Sequence, residues 1–180
     1  MNNEFKTINS KKKQNNNNNI YFNKYVIWTH DTVNKDWHLK SYNKICEIDN
    51  VNNYWKFINN FNKIGYKFLN FYFMKNNIEP TWEHPMNKNG GVCSFKISMV
   101  DAKKVFEDIT LHLICNKLCN DENDMIDING ISITPRNSWC LIKIWNKDIN
   151  NNIINKLNKT IIEKYKNHNL LYIPHNTTNN

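Results

Sequence analysis

Strand-like and helix-like segments follow one another along this chain in a regular order, and that order limits the possible folds more than any other feature. Alternating apolar and polar residues indicate strands, and apolar residues that recur with a 3.6-residue period indicate helices. Together they give the order ββαββαββαβ. Hairpin-like spacing favours antiparallel pairing of the strands. We therefore predict an α+β fold, with a mainly antiparallel sheet and three helices packed on one of its faces.

The predicted elements have recognisable boundary signals. The first helix begins at Val51, after a capping Asp49 or Asn50. The second is expected over 101–118 and the third over about 149–166. The strands are expected over 24–29, 39–48, 68–74, 92–99, 126–134, 139–146 and 170–173. With all helices on one face, the other face of the sheet stays open, and tryptophans in the loops border it.

The 180 residues fit one domain with a core of ordinary size. Residues 1–19 are a low-complexity, Asn- and Lys-rich segment that we predict to be a disordered tail. A single domain over 20–175 and a short tail over 176–180 follow. No apolar run approaches the roughly 20 residues that cross a bilayer, and no secretory signal is evident. We expect a monomer with no membrane partner, located in the cytoplasm and, as an alternative, also in the nucleus.

Charge and composition indicate a class of partner. The net charge of +8 and the pI of about 9.2 favour an anionic partner, since a basic surface attracts phosphates. The abundance of asparagine suggests the codon bias of an AT-rich genome, such as that of a protist or a large DNA virus.

Reactive residue types do not form a recognisable catalytic or metal site. The five cysteines include no CxxC pair, which is typical of reduced thiols. His112, Cys115 and Cys119 share one helix face at positions i, i+3 and i+7, but a fourth ligand is missing, so we expect no metal. Neither a nucleotide-binding glycine loop nor a pair of carboxylates with acid/base spacing is evident. We therefore expect no catalytic residues, no cofactor and no enzyme activity.

Two tryptophans in polar loops, Trp37 and Trp82, suggest a ligand site. A large aromatic residue in a polar loop is either a packing residue or a platform for a ligand. Aromatic faces attract cations, and a desolvated contact with Trp is worth roughly 2 kcal/mol or more. A guanine methylated on N7 is a flat cation, and Glu83 could accept hydrogen bonds from the two N–H groups of its Watson–Crick edge. This is the chemistry needed to recognise the 5′ cap of an mRNA.

Four segments carry a resemblance to a known family. The strings WTHDTVNKDW, DNVNNYWKFINNF, NNIEPTWEHPMNKNGG and ITPRNSWCLIKIW resemble the mRNA cap-binding translation initiation factor 4E family. The resemblance covers roughly Tyr25 to Ile173, and IEPTWE is its most specific part. It implies a curved antiparallel sheet with a cap slot on its concave face and three helices on its convex face.

The resemblance also implies roles for individual residues. Trp37 and Trp82 would stack on both sides of the methylguanine, and Glu83 would bind its N1 and N2 positions. Trp145 would contact the N7 methyl group. Arg136 would bind a phosphate, since its planar guanidinium can donate two parallel hydrogen bonds.

The phosphate-binding positions depart from the family pattern. Leu141 and Val92 stand where the family has basic residues. Lys143 lies on the same strand face as Leu141 and could bind a phosphate instead. Lys88 and Lys96 are further candidates. We therefore predict that cap binding depends more on stacking, and less on salt concentration, than in family members with the full basic set.

A second surface is implied on the convex face. There the family docks an amphipathic helix of the scaffold factor 4G or of a repressor, an example of helix-in-groove recognition. In this chain the docking surface would be formed by Val51, Trp55, Asp108 and Leu111. Glu107 replaces a usual leucine and Cys115 a usual glycine, so the partner differs from the usual one.

The predicted function is therefore binding of the 7-methylguanosine cap and recruitment of a scaffold factor for translation initiation. One alternative is a 4E-like repressor that sequesters mRNA, and a weaker one is a cap-processing or decapping hydrolase. Trp139 is an unexpected aromatic residue in the turn before the strand of Trp145. It either packs against the domain or stacks on the nucleotide that follows the cap.

Overall fold

The structure is a computed structural model and describes residues 21–175. The tails predicted over 1–19 and 176–180 lie outside the described residues. Among the helices in the described part of the chain, none is both long and apolar enough to span a bilayer.

A curved, open sheet of seven antiparallel strands forms the centre of the domain. Its order is β2-β1-β3-β5-β6-β4-β7. The strands are β1 (Tyr21–Asp31), β2 (Tyr42–Asn50), β3 (Leu69–Lys75), β4 (Gly91–Ser98), β5 (Ile128–Pro135), β6 (Trp139–Asn146) and β7 (Leu171–Pro174). The α+β class, the mainly antiparallel sheet and the order ββαββαββαβ are confirmed.

Three α-helices cover one face of this sheet: α1 (Val51–Ile64), α2 (Ala102–Ile114) and α3 (Lys159–Tyr165). Their buried side chains and those of the inward strand positions form one hydrophobic core. The predicted cap of α1 is Asn50, whose side chain accepts a hydrogen bond from the backbone N–H of Asn53. The helix ends at Gly65, whose φ of 95° lies in the left-handed region that glycine adopts without strain.

The third helix is shorter than predicted, since residues 149–158 form turns and a short 3-10 helix (Ile153–Asn155) instead. Polar side chains there bind the local backbone and compete with helical hydrogen bonds. The carboxylate of Asp148 accepts from the backbone N–H of Asn150 at 2.9 Å, and the amide oxygen of Asn152 accepts from Ile154 at 3.0 Å. The apolar period of this segment is preserved, but the backbone is not helical.

Two other predicted boundaries were wrong, each for its own local reason. The second helix ends at Ile114, because Asn116 has a positive φ of 54°, although Leu118 is still buried in the core. The second strand begins at Tyr42 and not at residue 39. The hydroxyl of Ser41 donates to the carbonyl oxygen of Asp36 at 2.6 Å and closes a turn before the strand.

Strand alternation divides the side chains between the two faces of the sheet. Odd-numbered positions of β3, such as Phe73, point toward the helices, whereas Tyr72 points to the open, concave face. The register aligns Tyr72 with Ser132, and Ser132 with Lys143. A second, smaller cluster of buried residues on the open face includes Val92 and Trp145. The open face is therefore partly apolar.

Candidate functional site

A cavity of about 510 Å³, called the slot below, lies on the open face of the sheet. Trp37 and Trp82, which come from two different loops, both line it, and Trp145 lines it from β6. Trp37 is 49 % exposed and Trp82 is 47 % exposed, so half of each indole is available to a ligand. Three tryptophans that are far apart in sequence are thus brought together at one site.

Trp37 is backed by a buried histidine. The rings of His30 and Trp37 are stacked, with centroids 4.3 Å apart and planes inclined by 15°. His30 is fully buried in β1, and its Nε2 lies 2.8 Å from the carbonyl oxygen of Asp36. One face of the Trp37 indole is therefore held by the protein.

Short polar hydrogen bonds order the loop that carries Trp37. The carboxylate of Asp31 accepts from the backbone N–H of Val33 at 3.0 Å, and the side-chain oxygen of Asn34 accepts from the backbone N–H of Asp36 at 2.9 Å. Hydrogen bonds from the backbone and side chain of His38 lower the pKa of Asp36 to about 2. The Asp36 carboxylate is therefore ionised at neutral pH and keeps its hydrogen bonds to His38.

The loop that carries Trp82 is held by a buried asparagine. The side-chain amide of Asn87 donates to the carbonyl oxygens of Glu79 at 2.9 Å and Thr81 at 2.7 Å. Its oxygen accepts from the side chain of Asn129 on β5 at 2.9 Å. These bonds connect the loop to the sheet and fix the segment just before Trp82.

Glu83 is exposed next to Trp82, and its charge reaches Tyr42. Burial raises the pKa of the Tyr42 hydroxyl, which lines the cavity, and the negative charge of Glu83 raises it further. Glu83 itself is not among the residues that line the cavity, although its neighbour Trp82 is.

Trp145 forms part of the floor of the slot and is buried. Its indole Nε1 donates to the hydroxyl of Ser132 at 2.9 Å, which fixes the ring plane. The ring also contacts Tyr72 edge-on, with centroids 6.1 Å apart, and lies 4.8 Å from the ring of His175.

Close backbone approaches near the slot explain the Gly90–Gly91 pair. A Cβ atom at Gly90 would overlap the carbonyl oxygen of Asn146, and one at Gly91 would lie 2.6 Å from that of Ile173. Only glycine fits between these neighbouring strands.

The part of the slot around Lys143 is weakly basic. Among the described residues, Lys143 is the one lysine or arginine that lines this cavity, whereas Val92 and Leu141 line it with apolar side chains. Burial lowers the pKa of Lys143, and the positive charge of Arg136 lowers it further. Arg136 is exposed, donates to the carbonyl oxygen of Pro135 and is not among the residues that line the cavity.

The other candidate cations lie elsewhere. Lys88 lines a separate cavity together with Lys147, and Lys96 packs over the ring of Trp139. Burial and the positive charge of Lys143 lower the pKa of His175 to about 4, so this histidine is neutral at pH 7. Within residues 21–175, Lys143 is therefore the one cation at neutral pH that lines the slot.

The convex side carries an apolar groove of about 620 Å³ between α1 and α2. Val51, Trp55 and Leu111, three of the four residues predicted to form a docking surface, line it, and Trp55 is 38 % exposed. Trp55 is therefore a surface residue and not part of the core. The exposed Cys115 also lines this groove.

Asp108 is placed differently from the other three predicted docking residues. It does not line the groove, because its carboxylate accepts hydrogen bonds from the Tyr165 hydroxyl at 2.6 Å and from Lys164 at 2.8 Å. Burial raises the pKa of Asp108, but these bonds more than offset that effect and the net pKa is lowered. It connects α2 to α3.

Sequence reasoning missed two supporting residues, His30 and Asn87. Alternation in β1 places His30 on the face opposite Ile27, and a histidine on that face of a central strand was a usable signal. Asn87 could not be distinguished from the many exposed asparagines. Among residues 21–175, no group of three or more His, Cys, Asp or Glu side chains could hold a metal ion.

Comparison with known proteins places the chain in a family. The family model for "Eukaryotic initiation factor 4E" matches residues 20–180. A translation initiation factor 4E homolog of Acanthamoeba polyphaga mimivirus is 30% identical over 92 residues, which are 50% of this chain and 34% of that protein. Translation initiation factor 4E of Dictyostelium discoideum is 25% identical over 130 residues, 69% of this chain and 51% of that protein. The chain thus spans about a third of the viral relative and half of the Dictyostelium one.

Solved structures share the fold at low sequence identity. A schistosome eIF4E complexed with m7GpppG and 4E-BP has a TM-score of 0.72 and 19% identity, covering 84% of this chain and 86% of that one. Ascaris suum eIF4E-3 with m7G cap has a TM-score of 0.70 and 16% identity, covering 89% and 95%. Because the family model spans the whole described domain, the chain belongs to the eukaryotic initiation factor 4E family.

Proposed function

We propose that this chain binds the 7-methylguanosine cap of mRNA between Trp37 and Trp82. The observation that carries the proposal is the pair of half-exposed indoles at one cavity, one of them backed by His30. A neutral guanine gains little from such a pair, whereas an N7-methylated guanine is a cation. Each desolvated contact of a cation with Trp contributes roughly 2 kcal/mol.

The rest of the slot matches the remaining parts of this ligand. Glu83 would accept hydrogen bonds from the Watson–Crick edge of the base, and the Trp145 ring would contact the methyl group. Lys143 would pair with the triphosphate, with Arg136 as a second cation at the rim. Because Val92 and Leu141 are apolar, stacking should contribute more to affinity than charge does.

Relatives with the same fold support this assignment. The schistosome structure holds m7GpppG and 4E-BP, and the Ascaris one holds an m7G cap. At 19% and 16% identity, similarity to these two structures shows only a shared fold, so the proposal for this chain depends on its own slot residues.

We further propose that the convex groove docks an amphipathic helix of a partner protein. Val51, Trp55 and Leu111 provide an apolar floor of the kind that helix-in-groove recognition uses. A scaffold factor of the 4G type would make this chain an initiation factor, and a repressor in the same groove would make it a translational repressor. We place both activities in the cytoplasm, where mRNA is translated.

Retention on immobilised 7-methyl-GTP, compared with GTP, tests the cap-binding proposal. Wild type should prefer the methylated ligand, and Trp37→Ala and Glu83→Gln should lose retention while their melting temperatures stay close to that of wild type. Phe68→Ala is a matched control, because Phe68 is 73 % exposed and does not line the slot. Equal retention of wild type on both ligands would disprove the proposal.

A binding protein and a hydrolase are separated by a direct assay. We propose that this chain changes no covalent bond in the cap, so capped RNA incubated with it and magnesium should stay intact. Release of a methylated guanine nucleotide would instead establish the hydrolase alternative.

A pull-down compares wild type with Trp55→Ala and identifies the convex-face partner. A protein that is lost from the Trp55→Ala sample, while 7-methyl-GTP retention is unchanged, occupies the groove. Partners captured equally by both proteins would contradict docking at this surface.

A further inference from the structure

A second groove lies beside the slot, at the edge of the sheet where β4 extends beyond its pairing with β7. Its volume is about 570 Å³, and it is formed by β4, β6, β7 and residues 167–169. Leu141 lines both this groove and the slot, so the two cavities are neighbours on the sheet. The groove contains Trp139, the aromatic residue that the family pattern does not explain.

Strand β6 sets the order of side chains from the slot to this groove. Trp145, Lys143, Leu141 and Trp139 lie at alternate positions and therefore on the same face of the sheet. At about 3.3 Å per residue, the Cα atoms of Trp145 and Trp139 are about 20 Å apart. A cation and an apolar side chain thus lie between two aromatic rings.

Trp139 is paired with a cation of its own. The Nζ atom of Lys96 lies 4.4 Å from the centroid of the Trp139 ring, and Lys96 is aligned with Leu141 on the neighbouring strand. His168 lies with Nδ1 3.0 Å from the carbonyl oxygen of Lys96, which holds the far wall of the groove against β4. An aromatic ring beside a lysine is the combination that binds a single-stranded nucleotide, because the ring stacks on a base and the lysine pairs with a phosphate.

We propose that this groove binds the nucleotide that follows the cap, with its base on Trp139 and its 3′ phosphate near Lys96. The inference rests on the proposed cap-binding function. The order along β6 matches the order of groups in a capped transcript: methylated base at Trp145, triphosphate at Lys143 and next nucleoside at Trp139. Leu141 would contact the ribose between them.

Binding constants for two ligands test this proposal. The ligands are 7-methyl-GTP, which fills only the slot, and the capped dinucleotide m7GpppNpN, which fills both cavities and has one phosphate beyond the triphosphate bridge. Wild type should bind the dinucleotide about tenfold more tightly, in the lower part of the range known for stacking of one base. Trp139→Ala should abolish this preference and leave the affinity for 7-methyl-GTP unchanged.

Lys96→Ala tests the phosphate contact separately. It should make the salt dependence of dinucleotide binding shallower by about 0.7 in the slope of log K against log salt, the value for one phosphate contact of a single strand. The slope for 7-methyl-GTP should not change. Phe68→Ala again serves as the exposed aromatic control, because Phe68 lies outside both cavities.

The possible outcomes separate this proposal from the cap-binding one. Equal affinity of wild type for both ligands, or a tenfold preference that survives Trp139→Ala, would overturn the groove assignment and leave cap binding intact. Failure of wild type to prefer 7-methyl-GTP over GTP would remove both. Retained 7-methyl-GTP binding by each variant shows that it is folded.

An NMR measurement on wild type covers the case in which Trp139→Ala does not fold. The indole N–H signal of Trp139 should shift with the dinucleotide and not with 7-methyl-GTP. A Trp139 signal that responds equally to both ligands would also overturn the proposal.

Discussion

Replacing His30 with alanine should weaken binding of 7-methyl-GTP, because the ring of His30 backs the Trp37 plate. The two rings are nearly parallel, with centroids 4.3 Å apart, and His30 is fully buried. Without that ring, the indole of Trp37 loses the contact that keeps it at the slot before a ligand arrives. Binding must then include the cost of ordering this side chain.

The expected magnitude follows from these contacts. A stacked aromatic pair is worth about 0.5–1.5 kcal/mol beyond its buried area, and 1 kcal/mol is about fivefold in Kd. The contact of Trp37 with the cationic base is worth roughly 2 kcal/mol, or about 30-fold. We therefore expect His30→Ala to weaken binding about fivefold and Trp37→Ala to weaken it about 30-fold. Because His30 acts through Trp37, the double variant should bind no more weakly than Trp37→Ala alone.

Isothermal titration calorimetry of the wild type, both single variants and the double variant measures this coupling. Circular dichroism at the same temperature checks that each protein is folded, since a buried His30→Ala substitution leaves a cavity. His30→Phe, which keeps an aromatic ring at the position, should bind more tightly than His30→Ala. Additive effects in the double variant, or unchanged binding by folded His30→Ala, would refute the role of His30 as a support for Trp37.

Three further predictions concern pH, the Trp82 loop and salt. Burial and the charge of Lys143 lower the pKa of His175 from 6.5 to about 4, so the folded protein favours the neutral ring. The contribution of this neutral ring to the free energy of unfolding is fully present above about pH 6.5 and is lost as the pH falls toward 4. In His175→Gln the denaturant midpoint should therefore change less with pH across this range. An equal pH dependence of the midpoint in both proteins would argue against this role of His175. Asn87→Ala leaves buried carbonyl oxygens without donors, which should cost about 1–3 kcal/mol of unfolding free energy in urea titrations and weaken 7-methyl-GTP binding through the Trp82 loop; tight binding by a destabilised Asn87→Ala would show that the loop does not depend on it. Leu141→Lys should add a phosphate contact and steepen the salt dependence of 7-methyl-GTP binding by up to about 0.7 in the slope of log K against log salt, with Leu141→Met as the uncharged control; an unchanged slope would place the phosphates away from β6.

Much of the fold was readable from local patterns. The order of strands and helices depends on apolar periodicity and on caps such as Asn50, which involve neighbours within a few residues. Boundaries failed where side chains bind their own backbone, as Asn152 does before the shortened third helix. Periodicity reports which residues are buried, and it cannot report whether the backbone between them is helical.

The sequence by itself determined the chemistry of the site: Trp37, Trp82 and Trp145 as aromatic surfaces, and the absence of basic residues at Val92 and Leu141. The tertiary structure decided how these groups meet. Since β1 and β3 are antiparallel neighbours, the loops that follow them leave from opposite ends of the pair. Trp37 and Trp82 nevertheless line one cavity. The loop that carries Trp82 is anchored to β5 by the hydrogen bond between the buried side chains of Asn87 and Asn129.

Long-range contacts also decided which residues support the slot and which residues line the convex groove. His30 stacks on Trp37 because the loop between them folds back on β1. Asp108 does not line the convex groove, because the hydroxyl of Tyr165, 57 residues later, donates a hydrogen bond to its carboxylate. Leu141 joins the slot to the Trp139 groove because β6 runs beneath both. The residue types at each position were visible in the chain, whereas their neighbours depend on sheet register and helix packing, which only the complete fold specifies.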